Sequence, residues 1–270
     1  MIELFEQDAC TFDRQSSKGN QLKWKNKDIW YKADYLGYEG FAECVVSHLL
    51  SFSSLSPDEY VKYEPEQIHY RSAMYQGAKS RDFLSEDWQI ITLERLFQSW
   101  HGESLTRMIW SITDVRARFR FLCDQVRRVT GLEDFDQYLC KMLTIDAFFL
   151  NEDRHMHNVA VLMNGDGSFR LCPLFDHGAC LLSDTTGDYP LTMDLFDAVN
   201  QVKAKTISTD FEEQLEAAEE ICGNTLRFSF SAGDIKTILN NLTGYPEEIR
   251  SRVEEILLFQ IRKYRYLFTS

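Results

Sequence analysis

The 270-residue chain carries 29 Lys and Arg against 42 Asp and Glu, a formal net charge of −13, with 44% hydrophobic residues and only 5 Pro. It is long enough to bury substantial cores and too apolar to be disordered, and no low-complexity stretch or internal repeat stands out. The acidity argues against sequence-independent binding to nucleic acid or to an anionic membrane, since both require a positive surface, and leaves only a local basic cleft open.

Along the chain, Ser16-Ser17-Lys18-Gly19-Asn20-Gln21 is a polar turn with one Gly that enters a strand, and its backbone N–H groups are candidates to face phosphate. Residues 22–24 and 28–33 flank Lys25-Asn26-Lys27 and predict a hairpin, with Lys32 closing the apolar Ile29-Trp30-Tyr31 run. Residues 40–50 predict a helix with Phe41, Val45 and Leu49 on one face and Glu43 pointing elsewhere. Short strands are expected at 60–63, 68–73 and 79–84, and from Ile90 the pattern turns helical. Tyr138, Met142, Ile145 and Phe149 step by four, three and four residues, an apolar stripe on a helix ending just before Asn151. Residues 209–221, 232–242 and 247–268 are also read as helices, the last with Val253, Leu257, Ile261 and Tyr264 buried. The division expected is a small β-rich lobe over 1–88 and a larger, mostly helical lobe over 89–270.

The segment richest in chemistry is Asn151-Glu152-Asp153-Arg154-His155-Met156-His157-Asn158, followed by Leu174-Phe175-Asp176-His177-Gly178. In kinase-type phosphoryl transfer one Asp orients or accepts the acceptor hydroxyl proton, and an Asn five residues later helps to hold Mg²⁺. A second Asp, in an Asp-x-Gly turn after a hairpin, carries Mg²⁺ to the phosphates. Asp153, Asn158 and Asp176 occupy those places in that order. The apolar, β-prone Val159-Ala160-Val161-Leu162-Met163, the turn Asn164-Gly165-Asp166-Gly167 and Phe169-Arg170-Leu171-Cys172-Pro173-Leu174 supply the hairpin. A Lys on a strand and a helical Glu that orients it complete such a site, and Lys32 and Glu43 come in the required order. The competing reading is a polar loop that merely caps a helix end. A zinc site at His155 and His157 is disfavoured, because no further ligand cluster has zinc spacing.

These motifs together resemble the HipA-like serine/threonine kinases, in particular their short, CtkA-type members, a fold related to that of phosphatidylinositol kinases. The resemblance implies an α+β, two-lobed protein-kinase-like fold using ATP and Mg²⁺. It implies Asp153 as catalytic base with His155 beside the transferred phosphoryl group, Asn158 and Asp176 on the metal, and Lys32, oriented by Glu43, on the ATP phosphates. Ser17, Lys18, Gly19, Asn20 and Gln21 fall in the phosphate loop, and Ser16, or else Ser17, falls where the family can phosphorylate itself and eject that loop. His177 stands where protein kinases carry the Phe of Asp-Phe-Gly. The implied partners are a protein substrate bearing Ser or Thr and an antitoxin or other regulatory protein. Toxins of this type are longer, with an extra N-terminal subdomain that contacts a DNA-binding antitoxin.

Two other functions use the same residues: a small-molecule or lipid kinase, and a nucleotide-binding pseudokinase that regulates a partner. The full set of Asp153, Asn158 and Asp176 speaks against the pseudokinase, since a scaffold needs no complete base and metal set. No apolar run is long enough to span a bilayer, and Met1-Ile2-Glu3-Leu4-Phe5-Glu6-Gln7-Asp8 is acidic, unlike a secretory signal. Seven scattered cysteines without a Cys-x-x-Cys pair read as reduced thiols. The expected compartment is the cytoplasm, with export as an effector lacking a conventional signal as the alternative.

Overall fold

The computed structural model describes residues 1–9 and 21–269. In chain order the elements begin with β1 (Ile2–Leu4), β2 (Lys23–Asn26), β3 (Ile29–Ala33), α1 (Glu39–Leu50), β4 (Tyr63–Tyr70), β5 (Ala73–Arg81), β6 (Trp88–Thr92), α2 (Leu93–His101) and α3 (Leu105–Trp110). They continue with α4 (Val115–Thr130), α5 (Phe135–Phe149), β7 (Ala160–Asn164), β8 (Phe169–Leu171), α6 (Leu195–Gln201), α7 (Phe211–Cys222), α8 (Ala232–Asn241) and α9 (Glu247–Lys263). The chain folds as two units. The first comprises Met1–Phe83, Phe175–Val202 and Arg227–Ser270, and the second Leu84–Leu174 and Lys203–Leu226.

The first unit is built on a five-stranded sheet ordered β1-β4-β5-β3-β2, in which β1 runs parallel to β4 and the other neighbours are antiparallel. Alternation along the strands sends Leu4, Trp24, Tyr31, Ala33, Ile68 and Tyr70 into one buried cluster, with Trp24 and Tyr70 edge to face at 5.0 Å. The helix α1 lies against β4 and β5, and two glycines allow that approach. A Cβ on Gly40 would meet the Gly77 carbonyl carbon at 2.6 Å, and one on Gly77 would meet the Lys32 carbonyl oxygen at 2.1 Å. The start of α1 is fixed by carboxylates. Glu39 accepts the N–H groups of Tyr35, Leu36 and Gly37, and Asp34 accepts that of Gly40 at 2.5 Å.

The second unit joins the antiparallel sheet β6-β7-β8 to helices α2 to α5 and α7. Asp114 caps α4 through the Ala117 N–H, and Thr92 caps α2 through that of Arg95. The stripe Tyr138, Met142, Ile145, Phe149 is buried in α5, which packs on α7. The helix α5 ends on Leu150 in the left-handed conformation at φ 58°, a conformation that costs a non-glycine residue about 1–2 kcal/mol. Leu150 is held there by burial.

Several boundaries differ from the sequence reading. Ile90 and Ile91 lie in β6, not in a helix, because they pair with Leu162 and Val161 of β7. The strands expected at 60–63, 68–73 and 79–84 form one hairpin of two longer strands, β4 and β5, whose turn uses Arg71 at φ 56°. The last helix stops at Lys263, where a 3₁₀ turn, Arg265–Leu267, takes over. Its buried face is Val253, Ile256, Leu257 and Gln260, with Ile261 only half-buried.

Candidate active site

In the first unit, Lys32 leaves the β3 strand and reaches two carboxylates. Its Nζ donates to Glu43 Oε1 at 2.5 Å and to Asp176 Oδ1 at 2.7 Å, and it also stands 5.2 Å from the centre of the Tyr63 ring. Glu43, expected to point away from the apolar face of α1, is 1% exposed. Its second oxygen accepts the His177 N–H at 2.8 Å, so Glu43 links Lys32 to the turn that carries Asp176. Asp176 takes φ 63°, and its N–H is 3.5 Å from the Tyr63 hydroxyl oxygen. A non-glycine residue in this conformation marks a segment whose surroundings fix it.

Charge accounts for the cluster. Burial alone would push the Lys32 ammonium toward the neutral form, but the Asp176 and Glu43 carboxylates outweigh it and hold its pKa well above the ordinary value. Glu43 shifts up, chiefly through burial and further through Asp176, against the opposing pull of Lys32. The Tyr63 hydroxyl is also raised by burial and by Glu43. Two acids against one ammonium leave a net negative centre, which suits a cation or a group that brings one.

In the second unit, Asn151 to Asn158 form a compact loop. Asn158 Nδ2 donates to the Asp153 carbonyl oxygen at 2.8 Å and to Asp153 Oδ2 at 3.1 Å. With its nitrogen committed, the amide oxygen of Asn158 is the atom left to accept or to ligate. Asp153 Oδ1 faces His155 Nε2 at 3.5 Å and Lys205 Nζ at 3.7 Å. His155 Nδ1 accepts the His157 N–H at 3.2 Å, which assigns the ring proton of the neutral tautomer to Nε2, toward Asp153. The His155 and His157 rings are 5.6 Å apart, edge to face, in a turn. Among the described residues no group of three or more His, Cys, Asp or Glu is arranged to hold a metal by itself.

The loop owes its shape to a buried ion pair. Asp146, 1% exposed, accepts Arg154 Nε at 3.1 Å and Asn151 Nδ2 at 2.9 Å, while Arg154, 2% exposed, also donates to the Asn158 carbonyl oxygen at 3.2 Å. The first N–H groups of α2, on Leu93 and Glu94, donate to the carbonyl oxygens of Val159 and Met156. Thr206 Oγ1 donates to the Arg154 carbonyl oxygen at 2.7 Å. Asp146 carried a signal in the sequence, as the one acid in the apolar run of α5 just before the loop. Lys205 carried none, lying far along the chain outside any motif.

Ser16, Ser17, Lys18, Gly19 and Asn20 lie outside the described residues. Gln21 is described, and its side-chain amide donates to the Ala33 carbonyl oxygen at 2.9 Å.

The architecture is a mixed α+β, kinase-like fold of the HipA type. The chain is similar to the crystal structure of a Helicobacter pylori proinflammatory kinase, CtkA, with a TM-score of 0.61 at 15% identity over 97% of this chain and 94% of that one. It is also similar to a chain of the Shewanella oneidensis MR-1 toxin–antitoxin complex of HipA, HipB and operator DNA, with a TM-score of 0.51 at 13% identity. That second match covers 89% of this chain and 59% of the other. No protein-family model matches the sequence, and no curated protein matches it. Among the described residues no helix is long and apolar enough to cross a membrane.

Proposed function

We propose that the protein is an ATP- and Mg²⁺-dependent serine/threonine protein kinase. The observation that carries this reading is Lys32 Nζ bound at once to a buried helical Glu and to the Asp of an Asp-x-Gly turn, at 2.5 and 2.7 Å. A lysine whose pKa is held high is a permanent cation for the nucleotide phosphates, and Glu43 fixes its direction. Asp176 and the amide oxygen of Asn158 would each offer one oxygen ligand. That suits Mg²⁺, which binds through one or two protein oxygens with phosphates and water completing its shell, and so needs no protein cluster of three acids. The metal, when bound, neutralises charge on the phosphates.

The rest of the reaction is work for side chains of the loop. Asp153, held through Oδ2 by Asn158, accepts the hydroxyl proton of the Ser or Thr acceptor as its oxygen bonds to the γ-phosphorus and the bond to the β-phosphate oxygen breaks. His155, with Nε2 3.5 Å from Asp153 Oδ1, is the proposed contact of the transferred group. Self-modification at Ser16, or else Ser17, is the proposed control. Nearly two added negative charges would repel that loop from the phosphates of ATP. An antitoxin-like regulatory protein is the proposed partner and a protein bearing Ser or Thr the proposed substrate.

The deciding experiment is incubation of the purified chain with Mg-ATP, followed by intact-mass measurement and phosphopeptide mapping against the Asp153→Ala protein. A mass gain by one or more phosphates in the wild type alone supports the reading. No nucleotide binding and no transfer to itself or to protein acceptors would overturn it.

A further inference from the structure

We infer that Lys205 is a positioning residue for Asp153, an inference that rests on the kinase reading above. The segment that carries Lys205 is fastened on both sides. Ala204, Thr206 and Ile207 are each no more than 1% exposed. The Ala204 N–H donates to the Thr209 carbonyl oxygen, Thr206 Oγ1 donates to the Arg154 carbonyl oxygen at 2.7 Å, and Arg118 Nη1 donates to the Ile207 carbonyl oxygen at 2.8 Å. A lysine on a backbone so fixed is delivered to one place, and Thr206 ties that place to the residue after Asp153.

The lysine ends 3.7 Å from Asp153 Oδ1, the oxygen that Asn158 does not hold, with 40% of its side chain exposed. An ion pair so open to water contributes little to stability, so the fold does not depend on it. Its use is directional. Asn158 draws Oδ2 one way, while the Lys205 ammonium and His155 Nε2 draw Oδ1 the other. The carboxylate plane is thereby set with Oδ1 turned to the acceptor, and Lys205 itself neither gives nor takes a proton.

The test uses Lys205→Met and Lys205→Arg in the full-length protein, with two measurements. In the nucleotide-free protein, the side-chain amide resonances of Asn158 report the orientation of Asp153. They are expected to move in Lys205→Met and to return toward wild type in Lys205→Arg, with thermal midpoints unchanged. Under Mg-ATP, kcat is expected to fall roughly tenfold to a hundredfold in Lys205→Met, the scale of a misplaced reacting group, with KM for ATP unchanged and most of the rate restored by Arg. Unchanged kcat in a wild type that does transfer phosphate overturns the inference and leaves the kinase reading standing. If the wild type transfers nothing, the kinase reading fails by itself and the amide resonances decide alone whether Lys205 orients Asp153. Unmoved resonances then reject it as well.

Discussion

Asn158 grips Asp153 twice, through the carbonyl oxygen at 2.8 Å and the carboxylate at 3.1 Å, so its side-chain amide fixes both the backbone and the side chain of the proposed base. Asn158→Asp would replace the donor by a like charge against the carboxylate. Both Asn158→Asp and Asp153→Ala are expected to lower phosphoryl transfer by about 10²–10⁴-fold, the usual worth of a positioned general base. Only the first is expected to alter the Mg²⁺ requirement as well, since it puts a charged oxygen where the amide oxygen stood. Titration of the transfer rate with Mg²⁺ separates the two, and an Asp153→Ala protein with wild-type transfer would remove Asp153 from the mechanism.

Lys32→Met leaves Glu43, 1% exposed, with its main counter-charge gone. Stranding a buried charge typically costs about 3–5 kcal/mol, so the variant is expected to unfold at markedly lower denaturant concentration. Adding Glu43→Gln is expected to recover part of the loss, because the uncompensated charge is then absent. Chemical denaturation of the two single variants and the double variant is the check. A double variant as unstable as the sum of the singles would show that the two side chains are not coupled.

Gly77→Ala places a methyl group 2.1 Å from the Lys32 carbonyl oxygen, which is backbone and cannot rotate away. Overpacking of this kind costs about 1–3 kcal/mol, and here the strain falls on the residue that carries the ammonium. Gly165→Ala, with nothing within 4 Å, is the matched control and is expected to be near neutral. Thermal midpoints for the pair test this, and equal midpoints would contradict it.

Asp146→Ala removes the carboxylate paired with Arg154, one of the largest fully buried side chains. The expected loss is again about 3–5 kcal/mol. Transfer activity should fall even where the protein remains folded, since Asn151 loses its anchor too. Leu→Ala scale losses without any effect on activity would reduce Asp146 to a packing role.

Asp34 gives a pH dependence of defined sign. Burial, aided by Glu39, lifts its carboxyl from 3.8 to about 7, against hydrogen bonds from the Gly40 N–H and the Tyr245 hydroxyl. The folded pKa is above the unfolded one, so the stability it contributes is complete below about pH 4 and is lost as pH rises through about 7. Thermal midpoints measured across that window are expected to fall toward neutrality, and Asp34→Asn is expected to flatten the slope. A slope unaltered by the substitution would assign it to other groups.

Local pattern made much of this legible. The stripe of α5 ends where the loop begins, and the order Lys32, Glu43, Asp153, Asn158, Asp176 could be read because each residue sits in a short motif with its own geometry. What was not legible depends on contacts between distant residues. Ile90 looks the same in a strand edge as in a helix start until β7 pairs with it. β1 is three residues that acquire meaning only beside β4. Gly77 shows its purpose only when the Lys32 carbonyl oxygen is placed over it, and Lys205 only when its segment returns to Arg154.

The path of the chain through its two units bears on biosynthesis. The first unit needs residues from 1–83, 175–202 and 227–270, and the second needs 84–174 and 203–226, so each is interrupted by the other. A nascent chain emerging from the ribosome therefore cannot complete either unit before translation has passed residue 226, and cannot finish the first until its last helix, α9, has been released. Until then α1, already able to lie on its sheet, waits without α8, a window in which a chaperone has access to surfaces the finished protein buries.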